Sequence, residues 1–225
     1  MEFYEKHYAD YTAVTNAYKQ SRYILTSDST INGDHDLRLL LLKALASVDD
    51  SHDTQQPKKT LLDIGCGPSA RDVRFYVEEG HLDAYGLDGS QVVIDETCKQ
   101  WPAYAHRLQA FDLRSTSPLP FGSNKFDAVT CNAVIQHLDE SAAKHTVQEM
   151  LRVLKPGGYL QLMFKCGQGT MKIHDADYKE DRCFNLYTAD QIRQWFGSNF
   201  VETNCVLFSD PKPTVHCVVL GHKKL

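Results

Sequence analysis

This sequence lacks the long apolar runs and the paired cysteines that mark several large classes of protein. No apolar stretch approaches the roughly 20 residues that a membrane-spanning helix needs. The first residues, MEFYEKHYADY, are charged and aromatic where an export signal carries an uninterrupted apolar stretch. The seven cysteines include no C-x-x-C pair and are odd in number, which disfavours a disulfide framework or a zinc cluster. We therefore expect a cytoplasmic protein with reduced cysteines and no membrane partner.

The charge balance is mildly acidic, with 24 lysines and arginines against 29 aspartates and glutamates, for a net charge of −5. A chain of this charge has no overall basic field, so a nucleic-acid partner is not expected. Hydrophobic residues make up 42% and charged residues 24%, as is usual for globular proteins. A length of 225 residues suits one domain, which we expect to span residues 1–225.

Strand and helix patterns alternate after a polar linker at Ser47–Lys59, which predicts a Rossmann-like α/β fold with helices on both faces of a mostly parallel sheet. Residues 1–50 are expected to form a helical arm or lid, with helices at Tyr4–Tyr18 and Leu37–Val48, and residues 58–225 the catalytic core. The final two strands have no helix between them, which predicts an antiparallel last strand. The seven predicted strands are Thr60–Ile64, Leu82–Leu87, Arg107–Phe111, Phe126–Cys131, Tyr159–Phe164, Phe200–Phe208 and Val215–Gly221.

The segment LLDIGCGPSARD, residues 61–72, places two glycines directly after the first predicted strand and before a helix. Gly65 and Gly67 let the backbone turn tightly and approach a ligand without a Cβ in the way. Asp63 comes just before them and suits a ligand with an ammonium or sulfonium charge better than an anionic pyrophosphate. Asp88 ends the second strand about 20 residues later, where a ribose diol would be bound.

Four ordered motifs, LLDIGCG, GLDGS, FDAVTCNAVIQHL and EMLRVLKPGGYL, resemble the successive motifs of class I S-adenosylmethionine-dependent methyltransferases. Within that superfamily the chain is similar to the small single-domain enzymes of the tellurite-resistance and thiopurine-type group. The resemblance implies S-adenosylmethionine as cofactor, S-adenosylhomocysteine as product and in-line transfer of a methyl group to a small-molecule acceptor. The group's substrates are varied, so the resemblance does not identify the acceptor.

The resemblance also implies a cofactor site at the ends of the first four strands, with Asp88 on the ribose and Asp112 on the adenine. A residue of the arm, Tyr11, would close over the methionine carboxylate. The loop departs from the family pattern at Ser69, where a third small glycine is usual. The cofactor-binding residues so implied are Tyr11, Asp63, Gly65, Cys66, Gly67, Asp88, Gly89, Ser90, Asp112, Leu113, Asn132, Ala133 and Val134.

Methyl transfer needs alignment and exclusion of water, and a general base only where the acceptor must lose a proton. His137, just past the fourth strand, is the candidate catalytic base, with simple packing as the alternative. The long connection Lys165–Tyr187 is typical of a functional loop, because such loops are uncommon in compact domains. The candidate substrate-binding residues, all in this connection, are Lys165, Arg182, Asn185 and Tyr187.

Other interpretations remain open at this point. The group His174, Asp175 and Asp177 fits no standard metal-ligand spacing, so no metal is expected. A methyltransferase acting on tRNA or protein is the first alternative, against which stands the acidic charge. An oxidoreductase with a nicotinamide cofactor is the second, and Asp63 weighs against it. A cofactor-binding but inactive protein is the third.

Overall fold

The structure, a computed structural model, describes residues 37–47, 57–175, 179–209 and 215–225. The predicted helix Tyr4–Tyr18 and most of the predicted linker lie outside these residues. The described strands are β1 (Thr60–Ile64), β2 (Asp83–Asp88), β3 (Leu108–Ala110), β4 (Phe126–Asn132), β5 (Leu154–Lys165), β6 (Thr170–Asp175), β7 (Glu180–Asn185), β8 (Phe200–Ser209) and β9 (Val215–Lys223). The described α-helices are α1 (Leu37–Ala46), α2 (Arg71–Glu78), α3 (Gln91–Gln100), α4 (Glu140–Val153) and α5 (Ala189–Phe196).

Seven of the strands form one sheet in the spatial order β3-β2-β1-β4-β5-β9-β8. Neighbouring strands from β3 to β5 are parallel, whereas β9 is antiparallel to both β5 and β8. The chain order reverses between β1 and β4, and in open α/β sheets ligands bind at the carboxyl ends of the strands beside such a switch point. The predicted seven-stranded sheet with an antiparallel last strand is confirmed.

Apolar side chains cover the sheet on both faces. On one face, Leu62 and Val129 belong to a buried cluster that includes Met150 of α4 and Ile192 of α5. On the other face, Leu61 and Ala128 belong to a cluster with Leu41 of α1, Val73 of α2 and Ile94 of α3. Each fully buried valine, leucine, isoleucine or methionine side chain stabilises the fold by about 1.5–3 kcal/mol. Within the described residues, none of the helices combines the length and apolar character required to cross a bilayer.

The connection Lys165–Tyr187 differs from its predicted form as an open loop. It contains an antiparallel pair, β6 and β7, with Met171 opposite Phe184 and Ile173 opposite Arg182. Exposed and less exposed residues alternate along both strands, as in a ribbon with one face in solvent. The sequence did not predict these two strands, because charged residues stand on both of their faces and obscure the apolar–polar alternation.

The segment KPGG, residues 155–158, directly precedes the predicted strand Tyr159–Phe164. It lies within β5, where Phe126 pairs with Leu154 and Ala128 already pairs with Tyr159. The extra residues bulge out of the ladder, and Gly157 allows this with φ +75°. The predicted strand Tyr159–Phe164 is the regular part of β5.

Candidate active site

The glycine loop after β1 has a backbone path that side chains would block. Gly65 and Gly67 have φ values of 76° and 63°, in the left-handed region that favours glycine. The amide groups of Gly65 and Cys66 both donate to the carbonyl oxygen of Leu87, at 2.7 and 2.9 Å, which ties the loop to β2. A Cβ on Gly65 would overlap Cγ2 of Val134, so the segment after β4 packs directly on the bare backbone.

Ser69, where the family usually has a third glycine, also adopts a left-handed conformation, with φ 66°. Its amide donates to Oγ1 of Thr97 at 3.1 Å, and its hydroxyl donates to Oε1 of Gln100 at 3.3 Å. These bonds to α3 stabilise a conformation that a serine seldom adopts. The departure from the family pattern is therefore accommodated locally.

Asp88, at the end of β2, joins the glycine loop to the start of α3. Its Oδ2 accepts from the amide of Gly67 at 2.9 Å, and its Oδ1 accepts from the amide of Ser90 at 3.0 Å. Burial raises the pKa of Asp88, and the two backbone donors oppose that shift. The hydroxyl of Ser90 accepts from the amide of Val93 at 3.3 Å, so Ser90 is the N-cap of α3.

Asp63 is buried beneath the loop, with 4% of its surface exposed. The hydroxyl of Thr130 donates to its Oδ1 at 2.8 Å. Burial, together with the charge of Asp72, raises the pKa of Asp63 to about 7. Asp63 pairs with Gly86 of β2, two residues before Asp88, so both carboxylates lie toward the carboxyl ends of neighbouring strands.

Asp112 follows β3 and begins a short 3₁₀ helix, Leu113–Ser115. Its Oδ1 and Oδ2 accept from the guanidinium of Arg114 at 2.9 Å each, and this partner lowers the pKa of Asp112. Leu113 packs against the cluster on the α4 face. Both residues therefore lie beyond the carboxyl end of β3, beside the edge that carries Asp88.

The segment after β4 completes this edge. The amide of Ala133 donates to the carbonyl oxygen of Met163 at 2.9 Å, and its φ of 61° turns the chain so that Val134 faces Gly65. The amide nitrogen Nε2 of Gln161, on β5, lies 3.5 Å from Oδ1 of Asn132. Cys66 is 9% exposed, and burial raises the pKa of its thiol, which keeps the thiol protonated.

A second group of side chains surrounds the buried ring of Phe184 on β7. The centroid of this ring lies 5.3 Å from that of His137, 4.8 Å from Nζ of Lys165 and 4.9 Å from Cζ of Arg182. Nζ of Lys165 is also 3.3 Å from Nε2 of His216, on β9. We call these five residues the Phe184 cluster. It brings the candidate base His137 together with two of the candidate substrate-binding residues.

The other two candidates hold the segment that carries His137. The side-chain amide of Asn185 and the hydroxyl of Tyr187 both donate to the carbonyl oxygen of Leu138, each at 2.7 Å. Burial raises the pKa of Tyr187 to about 12, so the hydroxyl remains a donor at neutral pH. Arg182 pairs with the buried carboxylate of Asp175 at 2.8 Å. Asn185 therefore ties β7 to the segment that follows β4, and the ion pair of Arg182 with Asp175 joins β7 to β6.

Among the described residues, no group of three histidines, cysteines or acids is arranged to hold a metal ion. His174 contacts Asp181, with 3.1 Å between Nδ1 and Oδ1, while Asp177 lies outside the described residues. Tyr11 lies outside them too, so its assignment to the cofactor stays a prediction. The sequence patterns did not indicate Phe184, His216 or Gln161 as site residues. Only Gln161 had a visible signal, as a polar residue inside the apolar strand YLQLMF.

Residues 62–162 match the family model described as a methyltransferase domain. An uncharacterized methyltransferase of Schizosaccharomyces pombe is 37% identical over 145 residues, which are 58% of this chain and 51% of that protein. The chain thus spans about half the length of this curated relative. Residues 62–162 are therefore similar to a methyltransferase domain.

Two solved structures share the fold. One is the 1,6-didemethyltoxoflavin-N1-methyltransferase of Burkholderia thailandensis, with a TM-score of 0.65 and 13% identity over 98% of this chain and 87% of that one. The other is a TehB-like methyltransferase from Corynebacterium glutamicum, with a TM-score of 0.63 and 16% identity over 100% of both chains. At such low identity the likeness concerns the fold alone. Together with the matched domain, it makes the chain similar to S-adenosylmethionine-dependent methyltransferases.

Proposed function

We propose that this protein transfers the methyl group of S-adenosylmethionine to a small-molecule acceptor by in-line displacement. The observation that supports the proposal most strongly is that Asp63, Asp88 and the glycine loop lie together beside the switch point between β1 and β4. A small-molecule acceptor is supported by the named reaction of the Burkholderia thailandensis enzyme, whose structure contains 1,6-didemethyltoxoflavin and S-adenosylhomocysteine.

The described residues fit this cofactor in shape and charge. The bare backbone at Gly65 and Gly67 admits the methionine part closely, beside Cys66, and the buried carboxylate of Asp63 complements a positive charge. In this proposal Asp88 accepts from the ribose hydroxyls, with Gly89 and Ser90 beside the adenosine. The remaining proposed contacts are Asp112 and Leu113 with the adenine, and Asn132, Ala133 and Val134 with the methionine and the methyl group.

When bound, the cofactor supplies an electrophilic methyl group on a positively charged sulfur. The protein has to position an acceptor atom in line with the methyl group and the sulfur, and it has to exclude water. Close packing at the strand ends serves both requirements, because it holds the reactants near each other and removes solvent. The packing of Val134 on Gly65 and the clamp of Asn185 and Tyr187 on Leu138 fix the segment between the two halves of the site. No protein nucleophile is needed for such a step.

We place the acceptor beside the Phe184 cluster, which continues the edge from Asn132 and Val134. His137 would take a proton from an acceptor that must lose one, and the neighbouring cations Lys165 and Arg182 would orient an acidic group of the acceptor. Asn185 and Tyr187 act in this proposal by fixing the position of His137 through Leu138. The pairing of Arg182 with Asp175 holds its guanidinium beside the ring.

The experiment that tests this function is transfer of an isotope-labelled methyl group from S-adenosylmethionine into separated fractions of a cell extract. Label in the small-molecule fraction, dependent on Asp88, is the expected result. Label confined to the protein or tRNA fraction would contradict a small-molecule acceptor and favour the alternative. A tRNA acceptor would also bind with an affinity that falls steeply with salt. Absence of label from every fraction, despite cofactor binding, would favour the inactive alternative.

A further inference from the structure

A row of buried polar side chains crosses the middle of the sheet on the face covered by α1, α2 and α3. Asp63 on β1 pairs with Thr130 on β4, and Thr130 pairs with Gln161 on β5, so the three side chains occupy one line across three strands. Their exposed fractions are 4%, 0% and 0%. Further along this face Met163 packs with Leu37 and Val218. The row is therefore polar at its centre and enclosed by apolar groups.

Among the side-chain atoms of this row, one fully buried oxygen has no hydrogen-bond partner. The hydroxyl of Thr130 donates to Asp63, and Nε2 of Gln161 faces Oδ1 of Asn132. Oε1 of Gln161 has no hydrogen-bond partner among the described residues, although it is fully buried. A buried acceptor without a partner destabilises a protein, and native structures contain few of them. The row lies next to the carboxyl ends of β1 and β4, so a ligand bound there is a source of the missing donor.

The position of the row relative to the glycine loop identifies the part of the ligand. Asp63 precedes Gly65 by two residues, and Asn132 precedes Val134, which packs on Gly65. This is the side of the loop where the proposed function places the methionine part of the cofactor. The row has the carboxylate of Asp63 at one end and the amide oxygen of Gln161 at the other. The hydroxyl of Thr130, between them, already donates to Asp63.

We propose that Gln161 is a cofactor-binding residue whose Oε1 accepts a hydrogen bond from the α-ammonium group of the methionine part, with Asp63 as the counter-charge. An ammonium group has three hydrogen-bond donors and no acceptor, so it complements acceptor oxygens that receive no hydrogen bond from the protein. The inference rests on the proposed function, because it assumes that S-adenosylmethionine binds at this edge. It adds a residue of β5 to a site otherwise built from the ends of β1 to β4.

The test compares two ligands in the full-length protein by isothermal titration calorimetry. S-adenosylhomocysteine carries the ammonium group, whereas 5′-methylthioadenosine lacks the whole amino-acid part. We expect Gln161→Met to weaken binding of S-adenosylhomocysteine about tenfold or more, because one hydrogen bond to a charged group is lost. The affinity for 5′-methylthioadenosine should not change, because this ligand lacks the ammonium group. Gln109→Met, at an exposed position of β3, should change neither affinity. Gln161→Glu retains acceptor oxygens and should restore binding of S-adenosylhomocysteine.

Thermal unfolding without ligand separates binding from folding. Gln161→Met removes a buried oxygen that has no partner and loses only the long 3.5 Å contact of Nε2 with Asn132, so its melting temperature should equal or exceed that of the wild type. An unchanged affinity for S-adenosylhomocysteine in Gln161→Met, or an equal loss for both ligands, would overturn the inference alone. If wild-type protein binds neither ligand, the proposed function fails and the inference fails with it.

Discussion

Oδ2 of Asp88 lies 2.9 Å from the amide nitrogen of Gly67, so the carboxylate at the end of β2 holds the glycine loop that follows β1. The second oxygen of this carboxylate accepts from the amide of Ser90, at the start of α3. One side chain thus fixes the relative position of two backbone segments that the proposed function places around the cofactor. The loop and the acid form a single unit, although about 20 residues separate them in the sequence.

Replacing Asp88 with alanine should weaken binding of S-adenosylhomocysteine at least about tenfold, because it removes a charged hydrogen-bonding partner. Isothermal titration calorimetry measures the change directly. Asp95→Ala, at an exposed position of α3, is the matched control and should bind as the wild type does. An unchanged dissociation constant in Asp88→Ala would remove Asp88 from its proposed role.

Substitution of Gly65 with alanine should destabilise the protein for two separable reasons, backbone strain and overlap with Val134. Gly169 has nearly the same φ, +74° against +76°, but open space around it, so Gly169→Ala measures strain alone, about 1–2 kcal/mol. Gly122 has open space and no such φ, and Gly122→Ala should change the free energy of unfolding little.

Urea unfolding of the three glycine variants orders these effects. We expect the loss of stability to be largest in Gly65→Ala and smallest in Gly122→Ala. Equal losses in Gly65→Ala and Gly169→Ala would mean that Val134 moves away at little cost. The close packing between the loop and the segment after β4 would then not be a constraint on the site.

The pH dependence of stability should reveal the buried carboxyl of Asp63. Burial, and then the charge of Asp72, raise the pKa of Asp63 from 3.8 to about 7, so the folded state retains a proton that the unfolded chain releases at lower pH. The resulting stability is fully present below pH 3.8 and is lost as the pH rises through about 7. Asp63→Asn removes this contribution, so its free energy of unfolding should fall less over that range, by up to about 1 kcal/mol per pH unit.

Urea unfolding at several pH values between about 4 and 8 measures this slope. Asp95→Asn, exposed on α3, serves as the control and should retain the slope of the wild type. If Asp63→Asn has the wild-type slope, Asp63 is ionised throughout this range in the folded protein.

His137→Phe separates catalysis from packing, because phenylalanine keeps an aromatic ring against Phe184 and removes the titrating nitrogens. We expect methyl transfer to an acceptor that loses a proton to slow about a hundredfold or more, with unchanged affinity for S-adenosylhomocysteine. The rate is measured once the labelling experiment has identified an acceptor. A wild-type rate in this variant would restrict His137 to the packing role that the sequence left open.

The sequence predicted the main sheet well because its strands are short apolar runs separated by glycines and helical patterns. Thr60–Ile64 has its predicted bounds. The helix Ala189–Phe196 begins after a capping box of Thr188 and Gln191, a pattern that is visible in the sequence. The adjacency of Asp63 and Asp88 also followed from local rules, since parallel strands carry their carboxyl ends to one edge.

The parts that the sequence did not predict depend on contacts between distant segments. The β6–β7 pair has few apolar residues, so its alternation was hidden among charges, and Phe184 was not recognised as the centre of a cluster. His216 reaches Lys165 only because β9 pairs with β5 in antiparallel register. The missing partner of Gln161 is visible only when every neighbour of the strand is known.

The most direct test of the account is thermal unfolding of the wild-type protein with S-adenosylhomocysteine and, separately, with NAD. A ligand at about 100 times its dissociation constant adds about 2.7 kcal/mol to the stability of the folded state. For a chain of this size that corresponds to a rise in melting temperature of roughly 5 °C or more. The account predicts this rise with S-adenosylhomocysteine and none with NAD. A rise with NAD and none with S-adenosylhomocysteine would contradict it.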